Sequence, residues 1–282
     1  MEHFDILIIG GGAAGIAAAK ACSGAKVLLV DRKAALGGVL LQCAHHGFGK
    51  HQSGTEYIAD LVKDFPDTVT LALNTTVLSV SADKKALLSG REFGRKEICF
   101  SQLILAAGCR EIPVGALPIA GTRPQGVYSA GQMQEMMNIH GHIPEGPVVI
   151  LGSGDLGLIM AKQLAEAGLE VTLVEKKDHC GGMAKNQRCL REFSVPLLCG
   201  DTIVEVQGYP RITGCTTEKG VHLPCKTLLI AVGLRSEQEL VFGLEDNPWI
   251  HICGNCNMVH PMVEAVIQEG TQAGRTAYEK TR

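Results

Sequence analysis

The chain has 282 residues, of which 46% are hydrophobic and 20% charged, and its formal net charge is −3. This length allows two domains with buried cores, and the near balance of charge argues against a nucleic-acid partner. The eleven cysteines are odd in number and scattered, and the longest weakly polar run, residues 6–19, is too short to span a bilayer, so we expect a cytoplasmic protein with free thiols and no membrane insertion.

The first predicted elements are a strand, a glycine-rich turn, a helix and a second strand, over residues 6–31. The G-x-G-x-x-G turn holds Gly10, which allows the tight turn, Gly12, which lets a pyrophosphate approach the backbone, and Gly15, which lets the helix pack on the sheet. Asp31 follows the first glycine by 21 residues, close to the ~20 expected of an acid that binds a ribose diol. These features in this order predict a dinucleotide site rather than an ordinary glycine-rich turn.

Residues 69–100 carry the alternation typical of a small antiparallel β element. The strand after it, in residues 103–110, ends in small residues and an Arg, and residues 228–235 repeat this pattern. Gly108 and Gly233 would let the backbone approach a ligand in each half. Either strand alone would be an ordinary buried strand, but the repetition favours a shared role.

Residues 148–175 repeat the first pattern, with Gly152, Gly154 and Gly157 in the turn and Glu175 as the terminal acid. A carboxylate at this place suits a free ribose 2′-hydroxyl and repels a 2′-phosphate, so we expect NADH rather than NADPH. Lys176 and Lys177 follow at once and would soften that repulsion. Two copies of the pattern predict a protein that holds two dinucleotides and passes electrons between them.

Over essentially its whole length the chain resembles the two-dinucleotide-binding-domain flavoproteins, the superfamily of pyridine nucleotide–disulfide oxidoreductases. The resemblance implies FAD in the first copy and NAD(P)H in the second. It also implies an α/β fold with two Rossmann-like three-layer ββα domains, the second inserted into the first. We expect the FAD-binding domain at residues 1–112 and 246–282, and the NAD(P)H-binding domain at residues 113–245.

The family's late Gly-Asp turn, which returns to the flavin, is matched here by Gly254-Asn255, and the Asn side chain can still bond a ribityl hydroxyl. The helix that starts near Pro261 would aim its N-terminus at the flavin's pyrimidine end. Carried over position by position, the resemblance implies these cofactor-binding residues: Gly10, Gly12, Ala13, Ala14, Gly15, Asp31, Arg32, Gly38, Val77, Ala107, Gly108, Gly152, Gly154, Asp155, Leu156, Gly157, Glu175, Gly233, Gly254, Asn255, Pro261 and Met262.

The segment GGVLLQCAHHGFGKH at residues 37–51 resembles one branch in particular. This branch contains FAD/NAD oxidoreductases found beside glycerol-3-phosphate dehydrogenases, and is related to flavin subunits of opine oxidases, dye-linked proline dehydrogenases and hydrogen cyanide synthase. Residues 108–131 and 151–164 indicate the same branch. The chain is shorter than members of that branch, most visibly between residues 51 and 103 and between 236 and 251.

Cys43 lies near where the family places residues over the flavin ring, and His45 and His46 follow it. Because an imidazole can activate a thiol or shuttle protons, Cys43 and His46 are the candidate catalytic residues. The alternative is a loop cysteine beside two surface histidines. His51 and His260 are further candidates.

Cys253 and Cys256 form a C-x-x-C motif that overlaps the ribityl-binding turn. This overlap favours two packing thiols over a redox dithiol or half of a metal site, and we expect no metal. In small thioredoxin reductases a dithiol lies just before the second glycine motif. Ala130 and Met133 stand at the matching positions here, so that mechanism is not expected.

The leading hypothesis is an FAD-dependent NAD(P)H oxidoreductase that passes a hydride between NAD(P)H and flavin, and electrons on to a small-molecule or protein acceptor or a dehydrogenase partner subunit. One alternative is the flavin subunit of an amino-acid, opine or proline-type dehydrogenase. A second alternative is a non-catalytic assembly subunit. Reduction of bound flavin by NADH favours the first, reduction by a substrate but not by NADH favours the second, and a colourless protein that cannot be reconstituted with FAD favours the third.

Overall fold

The computed structural model describes residues 1–22, 24–91 and 94–282. The chain forms two compact units, one made of Met1–Arg110 with Arg235–Arg282 and the other of Glu111–Leu234. The second unit thus begins at Glu111 instead of residue 113, and ends at Leu234 instead of residue 245. The later boundary differs because Val241, in a short 3₁₀ helix at Glu239–Val241, is completely buried in the core of the first unit.

A parallel sheet forms the middle layer of the first unit. Numbered along the whole chain, the strands of this unit are β1 (Glu2–Ile9), β2 (Val27–Val30), β3 (Val69–Ala72), β4 (Thr75–Val80), β5 (Lys85–Gly90), β6 (Gly94–Leu105) and β18 (Ile250–Ile252). The parallel strands follow the order β3-β2-β1-β6-β18. The first half of β6 also pairs with β5, which pairs with β4, in an antiparallel layer.

Strand β1 buries both of its faces, as parallel strands between two layers do. Leu7 and Ile9 belong to the core shared with the antiparallel strands, whereas Ile6 and Ile8 belong to the core shared with the helices. This explains why residues 6–9 of the strand form an unbroken apolar run instead of an alternating one.

The helical layer of the first unit consists of α1 (Ala13–Ala21) and α6 (Val263–Glu279), while α2 (Gly54–Leu61) lies near the 3₁₀ helix Gly38–Gln42. Helix α6 approaches α1 so closely that a Cβ at Gly270 would lie 2.2 Å from the carbonyl oxygen of Ala14. A Cβ at Gly274 would lie 2.4 Å from the carbonyl oxygen of Ala18. These two glycines therefore allow the last helix to lie against the first.

The second unit repeats the three layers. Its strands are β8 (Ala120–Gly121), β9 (Val127–Ser129), β10 (Val148–Leu151), β11 (Val171–Glu175), β12 (Leu197–Cys199), β13 (Ile203–Gln207), β14 (Gly214–Thr217), β15 (His222–Pro224) and β16 (Thr227–Ile230), and its helices are α3 (Ala130–Asn138), α4 (Asp155–Glu166) and α5 (Ala184–Glu192). A parallel sheet runs in the order β12-β11-β10-β16-β9, and the order β15-β14-β13-β8 forms the smaller sheet. Val148 and Ile150 pack toward the helices, and Val149 and Leu151 toward the smaller sheet.

The two crossovers between the units run through β7 (Cys109–Glu111) and β17 (Leu234–Ser236), which pair as a two-stranded ribbon. The predicted fold class, two Rossmann-like three-layer domains with the second inserted into the first, is confirmed. In the described ranges of the chain, every helix is too short or too polar to cross a lipid bilayer.

Candidate dinucleotide-binding sites

The first glycine turn connects β1 to α1, and two of its glycines are required by the fold. Gly10 has a φ of 107°, and a Cβ there would lie 2.3 Å from the carbonyl oxygen of Ala106. A Cβ at Gly15 would lie 1.8 Å from the carbonyl oxygen of Gly10. Gly12 differs, because among the described residues beyond its chain neighbours and its own helix, the one heavy atom within 4 Å of a Cβ there is the Cα of Gly38, at 4.0 Å. The protein itself thus leaves space beside Gly12, which forms the N-cap of α1.

Asp31 follows β2 and is bound to the same turn. Its carboxylate accepts hydrogen bonds from the backbone N–H of Gly11 at 2.6 Å and of Lys33 at 2.7 Å. The N–H of Gly37 donates to the carbonyl oxygen of Gly11 at 2.8 Å. The loop after β2, which includes the exposed Arg32, is therefore fixed to the glycine turn at both ends.

The second glycine turn, between β10 and α4, has the same division of roles. Gly152 has a φ of 106°, and a Cβ there would lie 2.3 Å from the carbonyl oxygen of Ala231. A Cβ at Gly157 would lie 2.2 Å from the carbonyl oxygen of Gly152. A Cβ at Gly154 would have no described heavy atom within 4 Å. The middle glycine again faces open space.

Glu175 ends β11 and is 8% exposed. One of its oxygens accepts the N–H and the hydroxyl of Ser153, both at 2.7 Å, and the other accepts the N–H of Lys177 at 3.0 Å. Burial raises the pKa of Glu175, but these hydrogen bonds, with the Lys177 ammonium, outweigh it and bring the pKa below its ordinary value. The side chain is therefore a carboxylate at neutral pH, held in one position.

Two further predicted residues of the second unit secure the start of α4. Asp155 accepts the N–H of Met183 at 2.8 Å and the side-chain amide of Asn186 at 2.6 Å. Leu156 packs against the helix-side core. Gly233, with a φ of 139°, follows β16. Asp155 thus links the glycine turn to the first turn of α5.

At the carboxyl edge of the first unit's sheet, the predicted residues follow adjacent strands in order. Asp31 follows β2, the turn at Gly10 follows β1, Ala107 follows β6, and Gly254 follows β18. The carboxyl edge of a parallel sheet is where α/β proteins bind ligands. The structure therefore brings these residues into one row along that edge.

The other predicted residues of this row lie on its flanks. Ala13 and Ala14 open α1 and are buried, and Gly38 lies across from Gly12. Val77 lies in β4 and packs on the core. Those at chain turns are Gly108 (φ 78°), Asn255, Pro261 and Met262, of which the last forms the N-cap of α6.

The Cys43 thiol points into the protein. It is buried and donates to the carbonyl oxygen of Val39 at 3.3 Å. Burial raises the pKa of Cys43 to about 12, so the sulfur is a protonated thiol at neutral pH. This does not favour the thiolate role considered from the sequence.

The two histidines that follow Cys43 have different surroundings. His45 stacks on Phe48, with ring centroids 5.1 Å apart. His46 and His51 instead line an open cavity of about 540 Å³, together with Gln52, Glu56, Ala59 and Asp60. The structure thus brings His46 into one cavity with His51 and with the carboxylates of Glu56 and Asp60.

The C-x-x-C thiols are packing groups in this structure. Cys253 and Cys256 are both buried, and Cys256 donates to the carbonyl oxygen of Glu237 at 2.8 Å. Burial raises the pKa of Cys253 to about 12 and that of Cys256 to about 11. In α3, Ala130 and Met133 are completely buried. Across the described residues, no group of three or more His, Cys, Asp or Glu side chains is arranged to hold a metal ion.

A second cavity, of about 280 Å³, lies at the carboxyl end of β9 in the second unit. Tyr128, Ser129 and Glu111 are among its lining residues. The Glu111 carboxylate accepts the Ser129 hydroxyl and, at 2.7 Å, the N–H of Gly131 in the first turn of α3. Because β9 lies beside β16 in the sheet, the cavity lies at the same edge as the turns that follow β11, β10 and β16.

Sequence reasoning missed two residues of these sites, Ser153 and Glu269. Ser153 stands between the first two glycines of its turn, at the place of Gly11 in the first copy, and that difference was a usable signal. Glu269 accepts the N–H of Gly254 at 2.8 Å and pairs with His260, from a position 15 residues after Gly254. No local pattern marks it.

Comparisons with known proteins agree with this geometry. The family described as pyridine nucleotide-disulphide oxidoreductase matches residues 4–252. A bilirubin reductase from Mediterraneibacter gnavus is 27% identical over 282 residues, covering 95% of this chain and 40% of that protein. The hydrogen cyanide synthase subunit HcnB of Pseudomonas protegens is 28% identical over 280 residues, covering 86% of this chain and 59% of that protein.

Among solved structures, the thioredoxin reductase of T. acidophilum superposes with a TM-score of 0.81 at 17% identity, and covers 99% of both chains. This similarity concerns the fold. The chain spans 40% and 59% of the length of the two relatives named above. The predicted superfamily is confirmed, because one family model covers most of the chain, both glycine turns included. The chain belongs to the pyridine nucleotide-disulphide oxidoreductase family.

Proposed function

We propose that the chain is an FAD-dependent NAD(P)H oxidoreductase, with FAD in the first unit and NAD(P)H in the second. One observation carries this proposal. In both glycine turns the first and third glycines are explained by close backbone contacts, whereas a Cβ at Gly12 or Gly154 would face open space. A dinucleotide pyrophosphate that approaches the backbone explains why those two positions also lack a side chain.

In the first unit, the N–H groups at the start of α1 bind the pyrophosphate and Asp31 binds the adenosine ribose. The next strands of the sheet after β1 are β6 and β18. The other half of the dinucleotide therefore lies over these two strands and reaches Ala107, Gly108 and the turn at Gly254. Bound flavin supplies the two-electron chemistry. The protein residues position it and exclude water, the remaining contacts coming from Ala13, Ala14, Gly15, Arg32, Gly38, Val77, Asn255, Pro261 and Met262.

In the second unit, the turn Gly152–Gly157, with Asp155 and Leu156, holds the nicotinamide dinucleotide, and Glu175 binds its ribose. In the strand order of this unit, the nicotinamide half extends over Gly233 toward the cavity at Ser129. We propose NADH as the preferred nucleotide, because Glu175 is an ionised carboxylate fixed by Ser153. A 2′-phosphate beside it would be repelled, and Lys177 offsets this only in part.

The second half-reaction passes electrons from the flavin to a small-molecule or protein acceptor, or to a dehydrogenase partner subunit. We propose His46 as its acid–base residue, since His46 lines an open cavity with His51. Cys43 was the other candidate, and its buried, protonated sulfur suits packing better than nucleophilic attack. We place the reaction in the cytoplasm, in keeping with cysteines that form no disulfide among the described residues.

A second candidate is the flavin subunit of an amino-acid, opine or proline-type dehydrogenase, in which an amine substrate reduces the flavin. Two similarities favour it: the hydrogen cyanide synthase subunit HcnB and an opine oxidase subunit of Agrobacterium tumefaciens, which is 30% identical over 182 residues. Both relatives are named as subunits. In this case a partner chain would complete the enzyme.

A visible spectrum and an anaerobic titration test both candidates. A yellow protein bleached by stoichiometric NADH supports the oxidoreductase, and comparison with NADPH gives the nucleotide preference. A yellow protein that NADH and NADPH leave oxidised, but an amine substrate bleaches, supports the dehydrogenase subunit. A protein that cannot be reconstituted with FAD contradicts both.

A further inference from the structure

A histidine and a glutamate pair in the turn between β18 and α6. His260 Nε2 lies 2.7 Å from an oxygen of Glu269, and the His260 side chain is only 11% exposed. The other oxygen of Glu269 accepts the N–H of Gly254 at 2.8 Å and the side-chain amide of Asn257 at 3.4 Å. The N–H of His260 in turn donates to the side-chain oxygen of Asn255 at 2.9 Å. Both ends of the turn are thus held by one carboxylate.

This arrangement decides which ring nitrogen of His260 carries hydrogen. A carboxylate only accepts hydrogen bonds, so Nε2 is the protonated nitrogen that donates to Glu269. The remaining nitrogen, Nδ1, forms no hydrogen bond with the described residues and is not sealed from solvent. The imidazole is therefore fixed on one side and available to a ligand on the other.

The strand order places this histidine at the flavin end of the proposed FAD site. Asp31, which binds the adenosine ribose, follows β2, and the pyrophosphate turn follows β1. The far half of the dinucleotide must then extend over β6 and β18, the two strands on the other side of β1. The turn that holds His260 follows β18 directly and leads into α6 at Met262.

We propose that Glu269 positions His260 so that Nδ1 contacts the bound flavin and takes up a proton when the flavin is reduced. This proposal rests on the proposed function, since it requires FAD in the first unit. His260 is then a catalytic residue that touches the cofactor, and Glu269 is a positioning residue that acts through it.

The balance of the step is simple. A reduced nicotinamide gives up a hydride, that is, two electrons and one proton, and is oxidised, while the flavin that receives the hydride gains one negative charge. One proton from solvent then binds His260 Nδ1, and the imidazolium offsets that charge. The Glu269 carboxylate stabilises the imidazolium through Nε2, as carboxylates do in other histidine pairs.

The neighbouring titratable groups do not replace His260 in this role. Cys253 and Cys256 stay protonated because burial raises their pKa values to about 12 and about 11. His251, the middle residue of β18, stays neutral because burial and the Lys280 ammonium lower its pKa to about 4. Other charged or titratable side chains on the elements around the turn include Glu56, Tyr57 and Asp60 of α2, Glu237 of the crossover and Glu264 of α6.

The experiment uses the FAD-loaded full chain and compares the wild type with His260→Gln, Glu269→Gln and His251→Gln. The midpoint potential of the bound flavin, compared with that of free FAD, gives the protein's preference for binding reduced over oxidised flavin. A pH indicator counts the protons taken up when dithionite reduces the bound flavin. We expect His260→Gln to lose about 10- to 100-fold of that preference. It should also take up one proton fewer per flavin reduced.

Glu269→Gln should show a smaller loss of the same sign, and His251→Gln, the matched buried histidine, should behave as the wild type. Retention of the wild-type potential and proton uptake in both His260→Gln and Glu269→Gln overturns this proposal while leaving FAD binding intact. Should His260→Gln not fold, Glu269→Gln with an unchanged potential overturns it alone. A wild-type protein that binds no FAD overturns the proposed function itself.

Discussion

Ser153 donates its backbone N–H and its hydroxyl to the same oxygen of Glu175, each at 2.7 Å. The Ser153 hydroxyl oxygen also accepts the N–H of Gly181 at 2.9 Å. In the first unit, Gly11 makes the corresponding links with main-chain atoms alone, to Asp31 and Gly37. Both units therefore join the glycine turn, the acid and the following loop, one through a side chain and one without it.

Replacing Ser153 by Ala should destabilise the second unit and its nucleotide site together. Glu175 would keep its burial but lose one donor, which we expect to lower the free energy of unfolding by about 1–3 kcal/mol. NADH should bind more weakly, because the carboxylate is no longer fixed, and NADPH should change less. Urea denaturation and fluorescence titration measure the two effects.

Ser101→Ala is the control, since the Ser101 hydroxyl meets His3 at the protein surface. An equal loss of affinity for NADH and NADPH in Ser153→Ala would show that the serine does not act through the ribose-binding carboxylate.

Gly154→Ala and Gly157→Ala should separate ligand binding from folding. A Cβ at Gly157 would lie 2.2 Å from the carbonyl oxygen of Gly152. Gly157→Ala should therefore lower the free energy of unfolding by about 1–3 kcal/mol, the usual cost of overpacking. A Cβ at Gly154 meets open space, so Gly154→Ala should unfold like the wild type but bind NADH at least about tenfold more weakly. Thermal unfolding and NADH titration distinguish them, and wild-type affinity in Gly154→Ala would exclude a close pyrophosphate there.

Acid should destabilise the first unit partly through His251. Burial, with the Lys280 ammonium, lowers the pKa of this histidine from 6.5 to about 4, and its Nε2 lies 3.0 Å from the side-chain oxygen of Gln102. Between these pH values the unfolded chain binds a proton that the folded chain does not, so stability falls as the pH drops from about 6.5 toward 4.

His251→Gln should remove this part of the pH dependence and leave the rest. Denaturation midpoints at pH 7, 6 and 5 check it. A wild-type slope retained in the variant would assign the acid sensitivity to other groups.

Alkylation should modify the buried thiols more slowly than the partly exposed ones. Iodoacetamide reacts with thiolates, and burial raises the pKa values of Cys43 and Cys253 to about 12 and that of Cys256 to about 11. Mass spectrometry after timed labelling at pH 8 should therefore show the partly exposed Cys180 and Cys199 modified well before these three. Early labelling of Cys43 would restore the activated thiol that the sequence suggested.

The sequence was informative where a single local pattern carries the structure. The unbroken apolar run around Leu7 predicts a strand buried on both faces, and the spacing of Gly10, Gly15 and Asp31 predicts the turn that joins them. These elements depend on near neighbours in the chain, so the fold class could be predicted.

The remaining features depend on contacts between residues that are far apart in the chain, and the spacing of motifs in the sequence does not predict such contacts. The boundary after Leu234 follows from the burial of Val241 in the first unit's core. The state of Cys43 follows from its burial, although the nearby imidazoles in the sequence suggested the opposite. Glu269 reaches His260 and Gly254 only because residues 254–260 lie alongside the first turns of α6.

The close contact of Gly270 with Ala14 determines the order in which the two units can fold during synthesis on the ribosome. Residues 111–234 are continuous and have their own core, so this unit can form while synthesis is still under way. The first unit cannot, because its helix α1 packs against α6, which is made only after the second unit. The site at the first glycine turn is therefore completed only after residues 111–234 have been made.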